Sequence, residues 1–246
     1  MIIKEKDSIE ADVAQLERIS KLPYLATEKR SQAEKILKTL RAGTQGGKSP
    51  AYFIDFYFQD SPNWSVIHDF RLEHGSSAVQ IDHLLINRFL DVYVLDTKHY
   101  SNGLKITERG EFLADFNGHY RSIESPIEQN KKHVKILKDL LQGEALLPKR
   151  LGFSLRPNFI PYVLVSPQCR VVRPSQESFN TAQIVRADEL YQKAQDNVKQ
   201  GTILDAARLI SPASLQELAQ KIVGYHQPLA TDYYDRFSIS DTEEDG

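Results

Sequence analysis

The sequence has one cysteine in 246 residues, Cys169. A single thiol rules out an intrachain disulfide and a cysteine-rich zinc site, and it suits a reducing cytosol. Long apolar runs are missing too. None approaches the roughly 20 residues that cross a bilayer, and charges break the N-terminal MIIKEKDSIEADVAQLE before a signal-peptide core can form. A cytoplasmic protein with no membrane partner is therefore expected. Basic excess is also absent: 31 Lys and Arg stand against 33 Asp and Glu, a net charge of -2. Overall charge thus gives no support to polyanion binding, and any such function must rest on a local field. The stretch Gly43–Ser49 (GTQGGKS) lacks phosphate-loop spacing and sits in the wrong order between a helix and a strand. No serine sits in a G-x-S-x-G elbow, so esterase or protease chemistry has no support.

The composition that remains is ordinary for a globular chain: 41% hydrophobic and 26% charged, enough to bury a core. Ile9, Val13, Leu16 and Ile19 recur at helical spacing over residues 8–21. Residues 27–41 follow as a helix with Ala33, Ile36, Leu37 and Leu40 on its buried stripe and Thr27 as its cap. From residue 51 the period shortens. AYFIDFYF, SVIHDFRLE, SAVQIDHLLI and DVYVLDTKHY are rich in β-branched and aromatic residues and are expected as strands. GLKITER and EFLADF are two shorter strands, and Asn117-Gly118 signals a hairpin turn. Pro126 opens a helix to about Leu141. FIPYVLVS is an apolar strand and QCRVVRP a short one. Helices are expected over residues 186–198 and 214–224. Helix, strand meander, helix, strand, helix gives an α/β protein around one mixed sheet. The terminal SDTEEDG is expected to be a solvated, disordered tail.

The strongest signal lies in residues 80–98. A hairpin centred near Phe89 pairs Gln80 with Lys98, Asp82 with Asp96, Leu84 with Val94 and Ile86 with Val92. All eight numbers are even, so all eight side chains project from one face. The other face carries Ile81, His83, Leu85, Tyr93, Leu95 and Thr97, so the strands are covered on both sides. His83 then points away from Asp82 and is expected as a packed histidine. Two aspartates facing each other repel, and burial raises that cost. Lys98 supplies one compensating charge, and a hard divalent cation, Mg²⁺ or Mn²⁺, would supply the rest. Two carboxylates and an ammonium are also what phosphodiester hydrolysis needs.

With Asp82, thirteen intervening residues, then Asp96-Thr97-Lys98, the chain resembles the PD-(D/E)xK nucleases. More narrowly, QIDHLLIN and VYVLDTKHYSNG resemble the nuclease-related domain, NERD. The resemblance spans roughly Thr27 to Leu229 and implies a restriction-endonuclease-like mixed β-sheet core flanked by helices. It implies a Mg²⁺- or Mn²⁺-dependent nuclease of bacterial origin, with DNA expected over RNA. It places an upstream helical glutamate at Glu34 (SQAEKILKTL) and a helical glutamine at Gln129 (SPIEQNKKHV). The implied metal ligands are Glu34, Asp82, Asp96 and the Thr97 carbonyl. Lys98 would position water, and Gln80 would support the site. Gln129, Lys132, His99 and Tyr100 would meet nucleic acid. The chain departs from the pattern in reading KRSQAE where a glycine-rich turn is usual, and in using Asp96 where glutamate is commoner. Those departures carry the rival expectation, a nuclease fold that binds nucleic acid or a protein partner without cutting. Residues 1–23 are expected as a helical extension, compatible with a homodimer, residues 24–229 as the nuclease-like domain, and residues 230–246 as the tail.

Overall fold

The computed structural model describes residues 1–44, 49–74, 77–202 and 206–239. Within them the chain divides into two compact units: residues 1–6 with 47–227, and residues 7–46 with 228–246.

The larger unit is built on a six-stranded mixed sheet. Its strands are β1 (Ile2–Lys4), β2 (Trp64–His74), β3 (Ser77–Asn87), β4 (Asp91–Lys98), β10 (Asn158–Val165) and β12 (Ile184–Arg186), side by side in that order. β2, β3 and β4 form an antiparallel meander, whereas β4, β10 and β12 run parallel. A second sheet holds β5 (Leu104–Ile106), β6 (Phe112–Phe116), β7 (His119–Ile123) and β11 (Val171–Val172), in the order β11-β5-β6-β7. β8 (Lys149–Arg150) and β9 (Phe153–Ser154) make a small ribbon. The expected turn at Asn117-Gly118 joins β6 to β7 with both residues at positive φ, 55° and 87°, as a tight hairpin requires.

Both faces of the main sheet are buried, as the two-sided apolar character of β3 and β4 requires. On one face Leu84, Ile86, Val92 and Val94 pack with Leu137, Leu140 and Leu141 of α4 (Pro126–Gly143) and Leu215, Leu218 and Ile222 of α6 (Pro212–Val223). On the other, Leu85, Tyr93, Leu95 and Leu164 pack with Ile54 and Phe58 of α3 (Pro50–Phe58) and Leu190 and Ala194 of α5 (Leu190–Lys199).

One expected strand is a helix. AYFIDFYF forms α3, although its residue types favour sheets. Ser49 caps it by accepting the Tyr52 N–H at 3.2 Å, and Pro50 occupies the first turn. Ala51, Ile54 and Phe58 are its buried stripe, a three-to-four-residue spacing that a strand would split between faces. The start signal and burial period outweighed propensity.

β4 and β10 end level, with Lys98 beside Val165. Their continuations β5 and β11 then pair again, in parallel, in the second sheet. Gly103 sits at this crossing with φ 142°, and a Cβ there would stand 2.9 Å from the Arg170 carbonyl oxygen.

In the smaller unit, α1 (Glu10–Lys21) and α2 (Thr27–Thr44) bury Leu16, Ile19, Leu25 and Ala33 with Tyr233, which opens the short α7 (Tyr233–Arg236), and Phe237, which follows it. The expected boundary at residue 23 falls inside this unit, because the apolar stripes of α1 and α2 face each other. The expected tail likewise begins with a capped turn: Asp232 accepts the Tyr234 and Asp235 N–H groups. Residues 45–48, within the Gly43–Ser49 stretch, and residues 240–246 of the expected tail lie outside the described residues. No helix among the described residues is long and apolar enough to cross a membrane.

Candidate active site

The β3–β4 register pairs Ile86 with Val92, Leu85 with Tyr93, Leu84 with Val94 and His83 with Leu95. This is the phase expected from a turn centred near residue 89. The regular rungs stop at His83–Leu95, so the expected Asp82–Asp96 and Gln80–Lys98 rungs do not form. Instead Thr97 donates its N–H to Asp82 Oδ2 at 2.7 Å. Asp82 therefore holds the neighbouring strand through its side chain just where the backbone ladder ends.

Asp96 is buried, and its Oδ2 lies 3.0 Å from Lys98 Nζ. This contact is an ion pair without hydrogen-bond geometry, which leaves the Asp96 oxygen with no hydrogen-bond partner. The Lys98 side chain is 27% exposed against 5% for Asp96, so the ammonium faces outward over a sunken carboxylate. Burial raises the Asp82 carboxyl to about 6. The Thr97 N–H opposes that shift, the charge of Asp96 adds to it, Lys98 opposes it and Asp69 adds to it. Burial is thus the main cause of the Asp82 shift, and the Asp96 charge a smaller one.

α4 roofs the site. Ser125 caps it by accepting the Glu128 N–H at 3.3 Å, and Pro126 occupies its first turn. Asn130 donates from Nδ2 to the carbonyls of Val94 and Tyr162, both at 2.9 Å, clamping the helix across β4 and β10. Pro161 of β10 lies beside this clamp, opposite Val94, and has no N–H to offer the ladder. One turn further on, buried His133 has an Nδ1 with no hydrogen-bond partner. Burial lowers its pKa, with Asp96 opposing and Lys98 adding to the shift, so the imidazole lies in the field of both groups.

Asp69 of β2 is the other addition. It lies between the rungs His68–His83 and Phe70–Ile81, with φ 47°. Continuing the two registers aligns Asp69, Asp82 and Asp96 in one row across β2, β3 and β4, and neither aspartate pair forms a regular rung. Like charges facing each other disfavour such rungs. Sequence reasoning missed Asp69 because its alignment appears only once the β2–β3 register is known. Asn130 and His133 were also missed, although their i, i+3 spacing on the proline-opened helix puts them on one face.

The remaining expected residues are dispersed. Gln80 is exposed and pairs along the backbone with Arg71 of β2. Gln129 is half-buried one helical turn before His133, and Lys132 is exposed. His99 is exposed and Tyr100 half-buried just beyond Lys98. Burial pushes the Tyr100 hydroxyl up to about 12, with the charge of Asp96 adding to the shift. Glu34 is exposed on α2, in the smaller unit. His83 is buried on the far face with Nδ1 2.7 Å from His68 Nδ1, while His68 Nε2 lies 2.9 Å from Asp55 Oδ1. It is part of a packed polar network, as its register implies.

Hard carboxylate oxygens, one of them unpartnered and buried, suit a divalent cation in their donor chemistry. Even so, no group of three or more His, Cys, Asp or Glu side chains among the described residues is placed to hold a metal ion. A larger cavity of about 500 Å³ lies at the opposite end of β4, around Asp91 and Asn197. Two of its polar residues are already engaged: Asp91 accepts from Asn87 and Asn158, and Asn197 donates to Tyr93 and Tyr162.

A mixed sheet flanked by helices, with acids and a lysine at the end of a central strand, has the features of a nuclease-like domain. The chain belongs to the nuclease-related domain family, NERD, whose model matches residues 42–166. The matched span contains Asp82, Asp96, Lys98 and His133 and begins after Glu34. No curated protein and no solved structure matches the chain.

Proposed function

We propose that this protein is a divalent-metal-dependent nuclease with a restriction-endonuclease-like core that hydrolyses phosphodiester bonds, with DNA as its substrate. The observation that carries this reading is the Lys98–Asp96 ion pair set beside Asp82 at the end of β4. Asp82 and Asp96, with the Thr97 carbonyl, would hold Mg²⁺ or Mn²⁺. When bound, such an ion acidifies a water and screens phosphate charge. The chain's own residues do the rest. Asp96 fixes the Lys98 ammonium toward solvent, where it stabilises negative charge on a phosphate oxygen. Asp82 ties β3 to β4 through Thr97 and keeps the carboxylates in one phase. Neutral His133 offers Nδ1 as a proton acceptor on the α4 side. Gln80, Gln129, Lys132, His99 and Tyr100 are the proposed substrate contacts. Glu34 enters from the family resemblance alone.

The test is cleavage of plasmid and linear DNA by purified protein with Mg²⁺, Mn²⁺ or EDTA. Cleavage should require the metal and fall at least a hundredfold in the Asp96→Ala, Lys98→Ala double variant. Unchanged cleavage by that variant overturns the assignment. The second reading, a module that binds nucleic acid without cutting, is favoured by the lack of a three-residue metal cluster among the described residues. It predicts binding to DNA and no metal-dependent products on either substrate.

A further inference from the structure

Beyond Lys98 the chain runs through His99, Tyr100 and Asn102 before it re-enters the second sheet as β5. Between this segment and the tip of the β6–β7 hairpin lies a cavity of about 240 Å³. Its walls include His99, Tyr100, Asn102, Ala114, Asp115 and Phe116. A drug-sized site takes about 300–1,000 Å³, so this slot suits a smaller, flat group. Ala114 keeps one wall low. Asp115 is not available to a ligand in the same way, because it accepts the Gly118 N–H at 2.7 Å and so belongs to the turn.

The hairpin tip has a second peculiarity. Phe116 is 49% exposed and Tyr120 46% exposed, a large apolar area to leave in water at a β-turn. Each ring carries a cation: the Arg121 guanidinium stands 5.5 Å from the Phe116 ring centre, and the Lys105 ammonium 5.5 Å from that of Tyr120. The register explains the pairing. Phe116 opposes His119, Ala114 opposes Arg121, and Asp115 opposes Tyr120. Phe116 and Arg121 are therefore diagonal neighbours on the cavity side, whereas Tyr120 lies on the reverse side with Lys105. Aromatic faces interleaved with cations are what unstacked bases and their phosphates require.

The slot also lies close to the candidate active site along the chain, its lining beginning at His99. Tyr100 is two residues from Lys98, at most about 7 Å along an extended chain. One strand of nucleic acid reaching Lys98 would therefore pass the slot.

We propose that the cavity between His99–Asn102 and the β6–β7 tip receives a single unstacked nucleobase of the strand whose phosphodiester lies at Asp96 and Lys98. Phe116 and Tyr100 supply its stacking surfaces, the Asn102 amide oxygen meets its polar edge while the Asn102 NH2 donates to Asn117 Oδ1 at 3.4 Å, and Arg121 holds a flanking phosphate. The proposal rests on the nuclease reading and sharpens it, since the substrate is then single-stranded or locally opened nucleic acid. A base within an intact duplex is stacked on both sides and cannot enter without being extruded.

The test uses the full chain in EDTA, so that binding is measured without cleavage. The probes are a short fluorescein-labelled single-stranded oligodeoxynucleotide of mixed sequence and its duplex, followed by anisotropy. The single strand should bind more tightly than the duplex. Phe116→Ala should weaken single-strand binding roughly 5- to 150-fold, the loss of one base–aromatic stack, and leave duplex binding within about twofold. Phe116→Trp should restore it. Phe116 is half-exposed, so circular dichroism should show Phe116→Ala fully folded; Arg121→Ala provides a second, independent weakening. A fluorescent adenine analogue in the strand should change emission on binding the wild type and not Phe116→Ala. If the wild type binds single strands and both Phe116→Ala and Arg121→Ala bind equally well, the base slot is wrong and the nuclease reading stands. If the wild type binds neither probe, in EDTA or with Ca²⁺ in its place, the nuclease reading itself fails.

Discussion

A single proton on Asp82 decides much of the site's behaviour. Burial raises this carboxyl to about 6, against about 3.9 in an unfolded chain. The folded state therefore favours the protonated form. Stability from this group is fully present below pH 4 and lost as pH rises through about 6. Asp82→Asn keeps an oxygen for the Thr97 N–H and removes the charge. It should stabilise the metal-free protein above pH 6, by at most about 3 kcal/mol, with no difference below pH 4; thermal melts across that range would show it. A divalent ion competes with the same proton. Mn²⁺ should raise the melting temperature of the wild type at pH 7.5, lose that effect as pH falls through about 6, and stabilise Asp82→Asn less. Equal stabilisation of both proteins would place the ion elsewhere. At this scale the sequence was legible wherever a pattern is local. Asp82, Asp96 and Lys98 follow from alternation and one turn centre. Asp69 does not, because its alignment depends on a second register that no local pattern marks.

Among the elements, α3 shows where residue type misleads. Phe, Tyr and Ile favour strands on average, but a serine cap, a following proline and buried positions three and four residues apart specify a helix. Ser49→Ala should cost about 1 kcal/mol in urea denaturation. α4 carries the opposite lesson: its proline start was readable, whereas its purpose was not. Asn130 matters because β10 places Pro161 in a ladder position, and the amide reaches the carbonyls of both strands nearby. Asn130→Leu should therefore destabilise the fold by about 1–3 kcal/mol by leaving buried carbonyls short of a donor. It should also lower any cleavage activity, because His133 depends on the same helix seating. A variant as stable as the wild type would show that the clamp is dispensable.

For the whole molecule, the sequence made the central sheet readable because β3 and β4 are apolar on both faces. It did not reveal the division into units. The resemblance ran continuously through α2, although that helix buries its stripe against α1. Glu34 is exposed, so Glu34→Gln should change stability by less than about 0.5 kcal/mol in urea. Any loss of cleavage in that variant would then reflect chemistry rather than folding. The crossing at Gly103 bears on the whole larger unit. β4 and β10 leave one sheet together, and their continuations meet again in the next, so the two connecting segments must stay matched in length. A residue inserted between Lys98 and Leu104 alone would put β5 out of phase with β11 and turn the hairpin tip away from the lysine. Lengthening this region by protein engineering, or by descent, would have to proceed in both connections at once.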